Sequence, residues 1–156
     1  MIAIRRILVP VDFSSGSRPV LEYAAGLAQR FDAEIEVLHV LEPPRYIAPD
    51  LVLHIEEGGP QTLGQFLRAR AMRDMEQLLG SVPQRGEKRA RPRIEMGDVA
   101  QTIANIAAEP GCDLVVMGTH GRQGLGHLLL GSVAAKVIRR APCPVLTLRA
   151  WEEGAA

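Results

Sequence analysis

Apolar positions in this chain fall alternately into short continuous runs and helical stripes. Residues 4–9 (IRRILV) close on Ile7, Leu8 and Val9, a run that reads as a buried strand. Pro10-Val11-Asp12-Phe13-Ser14 ends it. Val20, Ala24, Leu27, Ala28 and Phe31 then recur at i, i+4, i+7, i+8 and i+11, one face of a helix. Ser17 is the expected N-cap, and Pro19 is tolerated in the first turn. Glu34–Leu41 (EIEVLHVL) is a second strand, with Ile35, Val37 and His39 on one face and Leu38 and Val40 on the other. Residues 42–60 hold Pro43, Pro44, Pro49, Gly58, Gly59 and Pro60, and read as a long loop with at most one helical turn at 51–55.

A second helix, opened by Thr62 and ended by Gly80, carries Leu63, Phe66, Leu67, Ala71, Met75, Leu78 and Leu79. Residues 83–92 (PQRGEKRARP) are polar and basic, an exposed loop. A short strand at 93–96 leads to a helix that Asp98 and Gln101 are placed to open as a capping box. Val99, Ile103, Ile106 and Ala107 face inward there, and Pro110-Gly111 stops it. Residues 113–117 form a fourth strand. A helix over Ser132–Arg140 turns Val133, Val137, Ile138 and Ala141 inward, and Val145–Leu148 (VLTL) is a fifth strand.

The β-α-β-α-β-α-β-α-β alternation implies an α/β fold: a single doubly wound five-stranded parallel sheet with helices on both faces and right-handed crossovers. In the order 3-2-1-4-5, the direction of winding reverses between strands one and four, where such sheets hold ligands beyond the strand carboxyl ends. Those ends are Pro10-Val11-Asp12 and Met117-Gly118, so Asp12 should face the glycine-bearing loop that follows Gly118.

Composition narrows the function classes. A chain of 156 residues suits one domain, here 1–150 with a tail at 151–156. A formal net charge of zero argues against a nucleic-acid binder. There is no apolar run near the ~18 residues of a membrane span, and the segment MIAIRRILVP shows no signal-peptide h-region. The expectation is a cytoplasmic protein. The two cysteines, Cys112 and Cys143, form no CxxC pair; each precedes a strand, and the two strand starts could be neighbours. In a reducing cytoplasm they read as free thiols.

The stretch 113–141 carries the chemistry. A strand, a glycine loop and a helix N-terminus in succession suit an anion, because glycines let backbone approach closely and the first helical N–H groups point outward. Gly126-x4-Gly131-Ser132 approaches a P-loop but lacks its lysine. The first strand runs into PVDFSS, without the dinucleotide glycines. What the chain does hold is Gly118-x2-Gly121-x9-Gly131-Ser132.

With ILVPVDFS at 7–14, LHV at 38–40, the GD-led helix at 97–109 and DLVVMGTHGRQG…LLLGSVAAKVIRRAPCPVLTL at 113–148, the sequence resembles the universal stress protein family over nearly its whole length. In that family the G-x2-G-x9-G-[ST] pattern marks members that bind ATP. The resemblance implies that Pro10, Val11 and Asp12 lie at the adenosine end, with the Asp12 carboxylate accepting from a ribose hydroxyl. Val40 would offer backbone groups to the adenine edge, and Met117 would pack near the adenosine. Gly118 and Gly121 would pass close to ribose and phosphates. Gly131, Ser132 and Val133 would give N–H groups to the phosphates, with the Ser132 hydroxyl as a further donor or, alternatively, an ordinary N-cap. His120 and Arg122 stand in the loop within possible reach of a phosphate.

No general base with an orienting partner stands out, and no acidic cluster for Mg²⁺, which would rely on the phosphates and water. The expected role is therefore a nucleotide-dependent regulator or switch in stress response that acts on an unidentified protein partner. The alternatives are a slow ATPase or adenylyl-transfer enzyme, or a partner-binding module that does not use nucleotide and docks through 42–60. Val145, Leu146, Thr147 and Leu148 make an apolar edge of the kind that is covered or paired. In the resembling family the last strands of two subunits pair across a two-fold axis, which implies a homodimer.

Overall fold

A computed structural model describes residues 3–43, 46–55, 59–83, 90–119 and 130–149. Its main sheet holds five parallel strands: β1 (Arg6–Pro10), β2 (Glu34–Leu41), β5 (Arg91–Met96), β6 (Leu114–Gly118) and β7 (Val145–Leu148). Their spatial order is β5-β2-β1-β6-β7, the expected 3-2-1-4-5 pattern. α1 (Ser17–Phe31) and α2 (Leu63–Ser81) cover one face; α3 (Val99–Ala107) and α4 (Ser132–Arg140) cover the other.

Strand alternation sorts the sheet residues between two cores. Ile7, Val9, Ile35, Val37, Leu114 and Val116 pack with Val20, Leu21, Ala24, Ala71 and Met75. Leu8, Leu38, Val40, Val115 and Met117 pack with Ala100, Ile103, Ile106, Ala134 and Val137. β1 is the centre of both, and its Ile7, Leu8 and Val9 are each 0% exposed. Asp113 ties β6 to β1 at their starts, its Oδ2 accepting from the N–H groups of Arg5 at 2.7 Å and Arg6 at 3.2 Å.

The segment expected to be a loop is in part a β-hairpin. β3 (Val52–Ile55) pairs antiparallel with β4 (Gly59–Thr62), Val52 opposite Thr62 and Ile55 opposite Gly59. The expected helical turn at 51–55 is extended chain instead. Gly59 takes φ +74, and Pro60 is tolerable in a two-stranded hairpin, where every strand is an edge. Leu63 N–H donating to Leu51 O and Gly64 N–H donating to Pro49 O, both 2.8 Å, seat the hairpin on the start of α2.

Helix ends also differ in detail from expectation. The complete capping box is at α2: Thr62 Oγ1 accepts from Gln65 N–H at 3.1 Å, and Thr62 N–H donates to Gln65 Oε1 at 2.9 Å. At α3 only half forms. Asp98 Oδ1 accepts from Gln101 N–H at 2.8 Å, but the Gln101 amide turns outward to Asn105. Gly16, not Ser17, is the N-cap of α1. Phe31 and Ile138, expected inward, are 45% and 43% exposed: Phe31 is the last residue of α1, and Ile138 flanks the buried stripe of Ala134 and Val137. Among the described residues no helix is long and apolar enough to cross a membrane.

Candidate functional site

β1 and β6 are paired at Ile7–Leu114 and Leu8–Val115, and the ladder stops there. Beyond that point β1 leads into α1 on one face of the sheet and β6 leads toward α4 on the other. The divergence leaves a cleft of about 860 Å³ at the strand carboxyl ends, large enough for a nucleotide-sized ligand. Pro10, Val11, Asp12, Val40, Met117, Gly118, Gly131, Ser132 and Val133 all line it. His120, Gly121 and Arg122 lie outside the described residues.

The floor on the β1 side is a tight turn. Asp12 Oδ1 accepts from Ser14 N–H at 3.0 Å, from the Ser14 hydroxyl, and from the Ser17 hydroxyl at 3.1 Å. The bond two residues on is an Asx-turn, and the contact to buried Ser17 fixes the entry into α1. Phe13 takes φ +60 there, a left-handed conformation that costs a bulky residue about 1–2 kcal/mol. Its ring packs against His39 with centroids 4.3 Å apart. His39 Nδ1 donates to Val11 O at 2.8 Å, since a carbonyl oxygen can only accept. The strained turn is thus held from β2 as well as from α1.

The opposite wall is the start of α4. Thr119 N–H donates to Leu148 O at 2.8 Å, and Gly131 N–H donates to Thr119 O at 2.7 Å, so the two ends of the glycine loop are joined. The Gly131 N–H, expected at a phosphate, is engaged in that joint. Gly131 is the N-cap of α4 and contributes no side-chain cap; Ser132, the alternative cap, is the first helical residue. The first bond within the helix runs from Ala135 N–H to Gly131 O at 2.9 Å. The N–H groups of Ser132, Val133 and Ala134 precede it, at the positive end of the helix dipole, on residues that line the cleft.

Sequence reasoning missed several lining residues: His39, Glu42, Asp98, Val99, Thr119 and Lys136. Lys136 was findable, because it stands one turn beyond Ser132 and so shares its helix face. Asp98 and Val99 arrive with the α3 N-terminus. Gly97 sets that approach: its φ is +155, its N–H donates to Leu41 O at 2.9 Å, and an added Cβ would stand 2.9 Å from Thr102 Oγ1. The cleft is consequently polarised, with helix N–H groups and Lys136 on the α4 wall and Asp12, Glu42 and Asp98 on the others.

A second cluster of charge lies at the opposite, amino end of the sheet. Arg93 grips Glu109 through two contacts of 2.9 Å and reaches Glu36 at 3.1 Å; Arg6 reaches Glu36 at 2.6 Å and Glu109 at 3.2 Å. Hydrogen bonds from Arg93, then Arg6, hold the Glu109 carboxyl below the usual carboxylate range. This network ties β1, β2 and β5 to the end of α3 and stands apart from the cleft.

Fold and cleft can be set beside known proteins. The family model described as the universal stress protein family matches residues 3–149. The chain belongs to the universal stress protein family. Universal stress protein MJ0531 of Methanocaldococcus jannaschii is 32% identical over 145 residues, covering 93% of this chain and 82% of the relative. The solved universal stress protein UspA from Lactobacillus plantarum superposes with a TM-score of 0.76 at 29% identity, over 94% of this chain and 98% of that one. A universal stress protein solved in complex with cAMP has the same fold, with a TM-score of 0.64 at 24% identity over 96% of this chain and 99% of that one. Among the described residues of this universal stress protein, no group of three or more His, Cys, Asp or Glu is placed to hold a metal ion.

Proposed function

We propose that this universal stress protein binds ATP in the β1/β6 cleft and works as a nucleotide-dependent regulator. The observation that carries the reading is the α4 N-terminus. It lacks a side-chain cap and has three N–H groups ahead of the first intrahelical bond, and its first residues line a cleft of about 860 Å³. An anionic triphosphate suits that wall, with Lys136 as a further cation. The Asp12 side suits a sugar hydroxyl, and the backbone of Val40 suits the adenine edge. That a protein of the same fold was solved with cAMP supports an adenine nucleotide here. Mg²⁺ would enter with the phosphates and keep its waters.

The regulatory reading follows from how the cleft's polar groups are used. The Asp12 oxygen that meets hydroxyls is engaged in shaping a turn, with Ser14 and the cleft-lining Ser17 as its partners. Titration calorimetry with Mg·ATP tests the proposal. Saturable binding is expected, and no saturable heat up to millimolar ATP would sink it. The same cleft should admit ATP without rapid turnover.

We further propose that the functional unit is a homodimer built along β7. Among the described residues this strand ends the sheet and pairs on one side only, with β6; its four residues Val145, Leu146, Thr147 and Leu148 are all half-buried within one chain. A second copy laid along this edge would cover it. A monomeric mass in solution at micromolar concentration would contradict the dimer.

A further inference from the structure

The two cysteines meet at the amino ends of β6 and β7. The parallel register sets Val115 against Val145, and Val115 N–H donates to Pro144 O at 3.0 Å. Cys112 precedes the first of these strands and Cys143 the second. Both thiols are reduced and half-buried, and both pack against the same α3–α4 core. The Cys112 thiol is near enough to Cys143 to interact with it directly. These are the only cysteines in the chain.

We propose that Cys112 and Cys143 form a reversible internal disulfide, a clip that closes a covalent ring around β6, the glycine loop and α4. The oxidant is a low-molecular-weight disulfide, R–S–S–R. Burial first, and the neighbouring Cys143 second, push the Cys112 thiol up to about 12. Cys112 is therefore held as the thiol, and Cys143 makes the first attack. The Cys143 thiolate attacks one sulfur of R–S–S–R, forming a mixed disulfide and expelling R–S⁻. The Cys112 thiolate then attacks the Cys143 sulfur and expels the second R–S⁻. Two protein thiols are oxidised, the small disulfide is reduced to two thiols, and the two protons released by the cysteines go to the two leaving groups.

The clip sits at the end of the sheet opposite the cleft, so nucleotide need not compete with it. Its ring spans the β6–loop–α4 unit whose other end is joined by Thr119 and Gly131. Closing a ring of this size restrains the unfolded chain, and for a domain of this length the expected shift is a rise in Tm of roughly 5–10 °C.

The test is to incubate the folded full-length protein with oxidised glutathione, followed by intact mass, thiol count in denaturant and non-reducing peptide mapping. The expected product has lost two hydrogens, carries no glutathione, shows no free thiol, links the Cys112 and Cys143 peptides within one chain, and melts higher than the reduced protein. C112S should stop at a single glutathione adduct, and C143S, left with the buried Cys112 thiol, should form no internal link and take up at most one glutathione, more slowly. Adducts accumulating on the native protein without the internal link would overturn the proposal. So would persistently reduced thiols, a link that forms only after denaturation, or a lower Tm once it forms.

Discussion

Replacing Ser132 by proline separates the nucleotide site from the stability of the helix that carries it. Proline at the first helical position lacks an N–H that has no intrahelical acceptor in any case, so the substitution costs α4 little. The local backbone is already suitable: Gly131 holds φ −56 and ψ 149, the extended conformation that a residue before proline favours. Ser132 is exposed toward the cleft, which gives the ring room. Tm should therefore move by no more than about 2 °C.

Binding should respond very differently. A hydrogen bond from this N–H to a phosphate oxygen is charge-assisted and worth about 1.5–3 kcal/mol, or roughly 10- to 150-fold in Kd. Ser132→Ala keeps the N–H and loses only the hydroxyl, so it should weaken ATP by less than about tenfold. Calorimetric titration of the three proteins at one salt concentration, beside their melting curves, gives the comparison. A Ser132→Pro variant that folds normally and binds ATP as tightly as the parent would refute the assignment of the α4 N-terminus to phosphate.

Three other outcomes are expected. Asp12→Ala strands the buried Ser17 hydroxyl and should lower stability by about 1–3 kcal/mol in urea unfolding, together with weaker ATP binding. Asp12→Asn keeps the oxygen and should recover most of the stability, and unchanged nucleotide affinity in both variants would reduce Asp12 to a turn residue. Lys136→Met should weaken ATP on the order of tenfold and flatten the salt dependence of binding, measured by repeating the titration at rising ionic strength. Glu109, held below its ordinary value of 4.5 by Arg93, contributes stability that is fully present above that value and is lost as pH falls through its folded-state pKa. Urea midpoints should drop on acidification below about pH 4.5 in the parent and less steeply in Glu109→Gln.

Much of this molecule was legible in the chain because its strands and helices are short, clean and strongly punctuated. Glu34–Leu41, Ser132–Arg140 and Val145–Leu148 have the bounds that their patterns imply. Alternation from β to α was enough to bring Asp12 and Gly118 to one crevice, since a doubly wound sheet has one switch point. The hairpin was illegible for a specific reason. Proline and glycine mark its ends and its neighbours, and the same residues mark an irregular loop. Ile138 shows the limit of periodicity, which finds a stripe but not its edges; Phe31 keeps the phase of its stripe and is exposed at the end of its helix. The engagement of the Gly131 N–H by Thr119 depends on where two loop ends meet, and spacing carries no information about that.

The burial of β1 from both sides couples the two halves of the molecule energetically. Ile7 and Val9 belong to one core and Leu8 to the other, on a single stretch of backbone. Loosening α3 and α4 would leave Leu8 and its neighbours in water, and loosening α1 and α2 would do the same to Ile7 and Val9. Neither helical layer is a separable folding unit, because each is anchored to a strand that the other also needs. Two cores sharing one central strand should therefore melt together, in a single cooperative transition.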